Sequence, residues 1–320
     1  MSSNEPLIVV ALGGNAISPP HAEGNIPQQF AASRRTAERL ADLVEHDRRI
    51  LITHGNGPQV GNVLRRVELA AHEVYPLPLD TCVADTQAGM GYMIATCLNN
   101  ELRRRGINKT ASTLITTVEV DRDDPAFEHA SKPIGRPHPR DQADELRSKY
   151  GWEMAETSPG AYRRVVASPL PKRILEIELI RTLTRSGELL IVAGGGGIPV
   201  ACDSSGELAG VEAVIDKDRT SARIACALDA EVLLIATDIE RVALDFGKPA
   251  QRFVDRMTAA EARSCVEAGQ FAAGSMRPKI EAALDFLEHS TRAGRRVIIC
   301  DLDHVSAALD GSAGTRIDPA

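Results

Sequence analysis

The chain has 320 residues, 43% of them hydrophobic and 25% charged, the balance of a folded globular protein, which excludes a disordered tail or a fibrous repeat. At about 150 residues per domain the length suggests two lobes, which can share one sheet. A net charge of -7 argues against nucleic acid or an anionic membrane as partner, and no apolar run is long enough to span a bilayer.

The polar start, Met1 to Pro6, leads straight into a buried-type strand, Leu7–Leu12, without the pattern of a signal peptide, so a cytoplasmic protein is expected. Further strands are predicted at Ile50–Thr53, Ser112–Val120, Leu189–Ala193, Val232–Thr237 and Val297–Cys300. Between the first two, Ser33 is in place to cap a helix whose apolar residues Ala37, Leu40, Ala41 and Val44 repeat at helical spacing. Similar helical patterns cover 58–72, 81–105, 172–186, 218–229, 258–268 and 278–292. Strands alternating with helices imply parallel strands joined by right-handed crossovers, with helices on both faces. Aromatics make up only 3% of the chain, so the core must be built from Ala, Val, Leu and Ile. The six cysteines are scattered, with no paired spacing for a metal or a redox motif, and read as reduced thiols.

One stretch breaks this rhythm. From Asp121 to about Val166 the chain is polar, carries five prolines and holds the only tryptophan, Trp152. That is too long for a structureless connection, so we read it as an inserted lid with few contacts to the core. The expected layout is 1–120, a first half of the α/β domain; 121–166, the lid; and 167–320, the second half.

Glycine-rich turns follow three of the strands. Gly13-Gly14-Asn15 ends the first, Gly55-Asn56-Gly57-Pro58 the second and Gly194-Gly195-Gly196-Gly197 the fourth. Such turns bring backbone N–H groups close to a ligand, and strand C-termini of an open α/β sheet face one crevice. Gly55-x-Gly57-x-x-x-Gly61 imitates a dinucleotide fingerprint with Asp80 as ribose ligand, but it follows the second strand rather than the first. Neither a P-loop nor the protein-kinase signatures occur.

Asp216-Lys217-Asp218 precedes a helix. Acids there are ordinary first-turn residues, but two acids around a lysine also suit phosphoryl transfer, where the ammonium neutralises the moving group. Lys279, in Gly274-Ser275-Met276-Arg277-Pro278-Lys279, again puts positive charge at a helix start, against the macrodipole, which points to a bound anion.

With these residues in view, the chain resembles the carbamate kinases of the amino acid kinase superfamily. The matching segments are VVALGGNAI (9–17), HGNGPQVGN (54–62), PLDTCVADTQAGMGY (78–92), KPIG (132–135), GGGGIPV (194–200), GVEAVIDKD (210–218) and GSMRPKIEAA (274–283). The resemblance implies a three-layer α/β/α sandwich with a mainly parallel sheet and an inserted lid. It also implies a homodimer that transfers phosphoryl groups between ATP and carbamate, giving ADP and carbamoyl phosphate, run towards ATP synthesis in arginine or ureido-compound breakdown. By family pattern Lys217 and Lys279 bracket the transferring group, Asp216 and Asp218 orient them, and Lys132 reaches in from the lid. Gly13, Gly14, Asn15, Gly55, Asn56 and Gly57 would line the carbamate and phosphoryl site. Gly195, Gly196, Thr237, Asp238, Phe246, Lys248 and Met276 would hold ATP, with Mg²⁺ carried by the nucleotide and no protein ligand assigned to it.

Two segments depart from the family pattern: Asp85-Thr86-Gln87-Ala88-Gly89 stands for an expected Met-Thr-Gln-Gly-Ser, and Pro159-Gly160-Ala161-Tyr162 lacks an expected Arg. Rival readings are a kinase for another small carboxylate or carbamoyl-type substrate, or a non-catalytic nucleotide-binding regulator.

Overall fold

In the computed structural model, which describes residues 6–14, 17, 24–272 and 275–319, the first strand explains the layering. Strand β1 (Leu7–Leu12) is buried throughout, and its period of two sends Leu7, Val9 and Ala11 into one core and Ile8, Val10 and Leu12 into another. The chain continues through α1 (Ile26–Glu45), β2 (Arg49–His54), α2 (Gly57–Ala70), α3 (Leu79–Arg104), β3 (Ala111–Thr113) and β4 (Thr117–Val120). An arm follows: β5 (Lys132–His138), α4 (Arg140–Tyr150), β6 (Met154–Ser158) and β7 (Ala161–Val166). Next come β8 (Arg173–Ile174), α5 (Ile177–Arg185), β9 (Leu189–Ile191), β10 (Ile198–Cys202), β11 (Leu208–Gly210), α6 (Lys217–Ala227) and β12 (Val232–Thr237). The last part holds β13 (Val242–Leu244), β14 (Arg252–Val254), β15 (Arg256–Thr258), α7 (Ala259–Glu267), α8 (Met276–His289), β16 (Arg296–Asp301), α9 (Val305–Leu309) and β17 (Thr315–Asp318).

The main sheet has the order β15-β17-β16-β12-β1-β2-β9-β3 and is parallel except where β17 runs against β16. Residues of α6 and α8, among them Ala222, Ile280 and Phe286, fill the first core; residues of α1 and α3, among them Leu40, Ile94 and Leu98, fill the second. This is the three-layer sandwich expected. No helix among the described residues is long and apolar enough to cross a membrane.

Several local expectations are corrected. Helix α1 starts before Ser33: Asn25 caps it by accepting from the Gln28 N–H at 3.1 Å, and Ser33 lies buried inside the helix. The predicted strand Ser112–Val120 is two strands in different sheets, because the chain leaves β3 beside β9 and pairs again with β10. Within 172–186 a short strand precedes the helix. Asp80 sits in the first turn of α3 against Gly210, so it holds no ribose position.

The arm is no loosely attached flap. Its sheet, β5-β7-β6, packs its root on α2: Ile134, 1% exposed, joins Val60, Leu64, Leu79 and Val83 in one apolar cluster. Backbone meets backbone there, since a Cβ on Gly61 would lie 2.1 Å from the Gly135 Cα. Further out, Trp152 Nε1 and Arg164 Nη1 both donate to Glu68 of α2 at 2.7 Å, and the Arg65 guanidinium lies 5.1 Å from the Tyr150 ring centre. The expectation of few contacts to the core is therefore wrong.

Candidate active site

Strands β12, β1 and β2 lie side by side and parallel, so their C-terminal turns open onto one cleft of about 810 Å³. Backbone bonds hold the rim: Gly13 N–H donates to Ala236 at 2.8 Å and Gly55 N–H to Leu12 at 3.1 Å. Gly13, Gly14, Gly55, Asn56 and Gly57 all line the cleft, while Asn15 falls outside the described residues. The Asn56 amide donates to Thr86 at 2.9 Å and fills the space above Gly195. Gly195, at φ +68°, leaves no room for a Cβ, which would meet the Asn56 amide at 2.2 Å.

The acids and lysines form one network. Asp216 caps α6, accepting from the Asp218 N–H at 2.9 Å, and its other oxygen takes the Lys132 ammonium from the arm. First-turn chemistry and orientation of a lysine are thus done by the same carboxylate. Asp218 accepts from Lys217 through one oxygen and from Lys279, at 3.2 Å, through the other. One carboxylate, 2% exposed, therefore fixes two ammonium groups that start two different helices.

The electrostatics follow from burial. Burial acts to raise Asp216, but Lys132, Lys217 and Lys279 outweigh it and hold the carboxyl below its ordinary range. Burial likewise opposes ionisation of Asp218, and Lys217 with Lys279 keeps it ionised. For Lys217, burial is the larger effect and lowers its basicity against the pull of Asp218; for Lys279, Asp218 dominates and raises it. Behind the rim, His54 is completely enclosed, and burial lowers its pKa to about 4, helped by nearby Lys217 and opposed by a hydrogen bond to the Gly55 carbonyl.

Of the residues assigned to ATP, Gly195, Thr237 and Asp238 line the cleft. Gly196, Phe246, Lys248 and Met276 do not. Gly196 is turned inward, where its carbonyl accepts from Thr220 at 2.8 Å and a Cβ would strike the Ile215 carbonyl. Phe246 and Lys248 lie on the exposed β13–β14 connection, the lysine paired with Asp245 at 3.0 Å, and Met276 packs on the core. The departing residues Asp85, Ala88, Gly89 and Gly160 are exposed and also stand outside the cleft lining. No group of three potential metal ligands exists among the described His, Cys, Asp and Glu, and the cleft acids Asp216 and Asp218 are engaged with lysines.

Sequence reasoning missed Arg163, Arg219, Arg277 and Glu281, which also line the cleft. Glu281 clamps Arg219 at 2.6 Å and Arg277 at 2.8 Å. The signal for those two arginines was available, since both stand in helix first turns where positive charge is otherwise unfavourable.

The sequence model of the amino acid kinase family matches residues 6–301. The chain belongs to the amino acid kinase family. Within it, the chain is 46% identical over 314 residues to the carbamate kinase-like protein YahI of Escherichia coli, covering 97% of this chain and 98% of that protein. It is 41% identical to the carbamate kinase of Thermococcus kodakarensis, over 97% and 98% of the two chains. Among solved structures, the carbamate kinase of Giardia lamblia bound to AMP-PNP matches with a TM-score of 0.90 at 32% identity, covering all of both chains.

Proposed function

We propose that this chain transfers a phosphoryl group reversibly between ATP and carbamate, forming ADP and carbamoyl phosphate. The observation that carries this reading is the Asp218 carboxylate joining Lys217 and Lys279, with the Lys132–Asp216 pair on the same cleft. A carbamate oxygen attacks the γ-phosphorus, and the bond to the ADP oxygen breaks as the new one forms. Carbamate is already an anionic nucleophile, so no strong base is required. Catalysis rests on alignment and on positive charge set in place before the reaction, which together supply most of the barrier reduction in such transfers. Lys217 and Lys279 would flank the moving group, Lys132 would reach it from the arm, and the Gly55–Gly57 turn would seat the substrate.

Nucleotide would occupy the side towards Gly195, Thr237 and Asp238, bringing Mg²⁺ on its phosphates; the metal supplies further charge neutralisation. The resemblance also supports a homodimer and flux towards ATP. A pure nucleotide sensor has no use for three lysines aligned by two acids, and the departing residues, exposed and outside the cleft lining, give no support to another substrate. The test is direct. Enzyme mixed with Mg-ADP and carbamoyl phosphate should form ATP, and EDTA should abolish it. Failure to form ATP at high enzyme concentration, with ADP binding intact, would overturn the carbamate reading.

A further inference from the structure

We infer that Arg163 is the receptor for the carboxylate-type end of the small, non-nucleotide substrate. This rests on the kinase reading above and names a group that reading leaves out. Arg163 stands on β7, the strand that returns from the arm beside β5 and Lys132, and its side chain lines the main cleft.

The charges of the cleft are unevenly matched. Six bases and four carboxylates line it, in a chain whose overall charge is -7. Five of the bases have a carboxylate: Lys132 has Asp216, Lys217 and Lys279 share Asp218, and Arg219 and Arg277 share Glu281. Arg163 forms no ion pair with any described residue. A guanidinium withdrawn from water without an anion is unfavourable unless a ligand completes it. Burial alone accounts for its lowered basicity, with no acid nearby to restore it.

Geometry narrows the ligand. Arg163 Nε donates to the Gly135 carbonyl at 3.0 Å, which fixes the plane of the group. The two Nη atoms remain as a fork, the shape that grips a planar carboxylate or carbamate through two parallel hydrogen bonds. Position narrows it further. The arm lies over the small-substrate turn, where a Cβ on Gly57 would sit 3.9 Å from the Pro133 carbonyl. Thr237 and Asp238, on the nucleotide side, come instead from the end of β12. The substrate class is therefore a compact planar acid or its acyl phosphate, held by Arg163 while the lysines handle the phosphoryl group.

Arg163→Gln and Arg163→Lys test this. KM for carbamoyl phosphate should rise at least about tenfold in the Gln variant while KM for ADP stays within about twofold, the pattern of a lost substrate contact. Lys keeps charge without the fork, so it should recover part of the loss and still bind at least about fivefold more weakly than wild type. Calorimetry with phosphonoacetamide, a stable analogue of carbamoyl phosphate, should show the same ranking. Equal rises in both KM values, or none, would overturn the assignment, as would unchanged analogue affinity. If the wild-type chain makes no ATP, the kinase reading fails, and analogue binding decides this one: Arg163-dependent binding keeps it, and no binding or Arg163-independent binding overturns it. Should the Gln variant not fold, as judged by Trp152 emission, the Lys variant decides by the same fivefold criterion.

Discussion

Two bodies bring positive charge to the same cleft, and they are built on opposite principles. The inner wall carries Lys217 and Lys279 on the first turns of α6 and α8, helices packed on the sheet through side chains such as Ala222, Ile280 and Phe286. The arm carries Lys132 and Arg163 on β5 and β7, around a core of its own of only five residues, Ala143, Leu146, Trp152, Met154 and Tyr162. The inner charges are fixed by a buried carboxylate and a large core; the outer ones, although Lys132 also reaches Asp216, depend on how the arm sits on α2. One site thus combines a rigid charge pair with charges whose position depends on a separate packing contact.

The contrast is sharpest in turnover. Lys217→Ala and Lys279→Ala should each lower kcat at least about a hundredfold, the usual loss on removing one preorganised charge. Lys132→Ala should cost less, about tenfold, and should fall on kcat rather than on KM for ADP. Lys109→Ala, outside the cleft, should change little. Steady-state kinetics of the four variants would break the comparison if all showed one mild effect.

A second expectation concerns the inner wall alone. His54 takes a proton at about 4 in the folded chain and at 6.5 when unfolded. Acid therefore favours the unfolded chain: the His54 contribution is complete above pH 6.5 and is lost as pH falls to 4 and below, a change on the order of 3 kcal/mol. Denaturation across that window should be steeply pH-dependent in wild type and flatter in His54→Gln. Equal slopes would mean that the wall behind the rim admits water.

The smallest effect belongs to the arm's seat. Glu68→Gln keeps an acceptor for Trp152 but weakens the pairing with Arg164, so turnover should fall only about three- to fivefold. Trp152 emission should shift to the red. A shift with unchanged turnover would show that the arm's seat and the chemistry are independent.

The inner wall was largely legible in the sequence because its signals are local. Buried runs such as Val232–Thr237 mark the strands, and Lys217 and Lys279, like Lys132 of the arm, stand out where only seven of 37 basic residues are lysine. Arg163, Arg219 and Arg277 were hidden among 30 arginines. The arm's seat was not legible, since its composition is polar and its anchor, Glu68, lies far away in sequence on α2. The break between β3 and β4, and the two-residue β8, escaped because such short pieces carry no period, and only pairing with distant strands defines them. Asn25 was passed over as a cap because the apolar repeat is clearest further along the helix.

The pairing of Lys132 with Val166 means that the arm leaves and re-enters the body at adjacent strand positions, about 5 Å apart. Topologically the arm is a closed detour, and altering its length stretches no connection in the sandwich. The entropy of closing such a loop grows only slowly with its length, by about 0.6 kcal/mol per doubling. The arm is accordingly an exchangeable cassette. Its outer turn at Gly160, exposed and at φ +73°, is the natural point for splicing in a peptide or a chromophore, because the sheet that holds Lys217 and Lys279 would feel no strain from it.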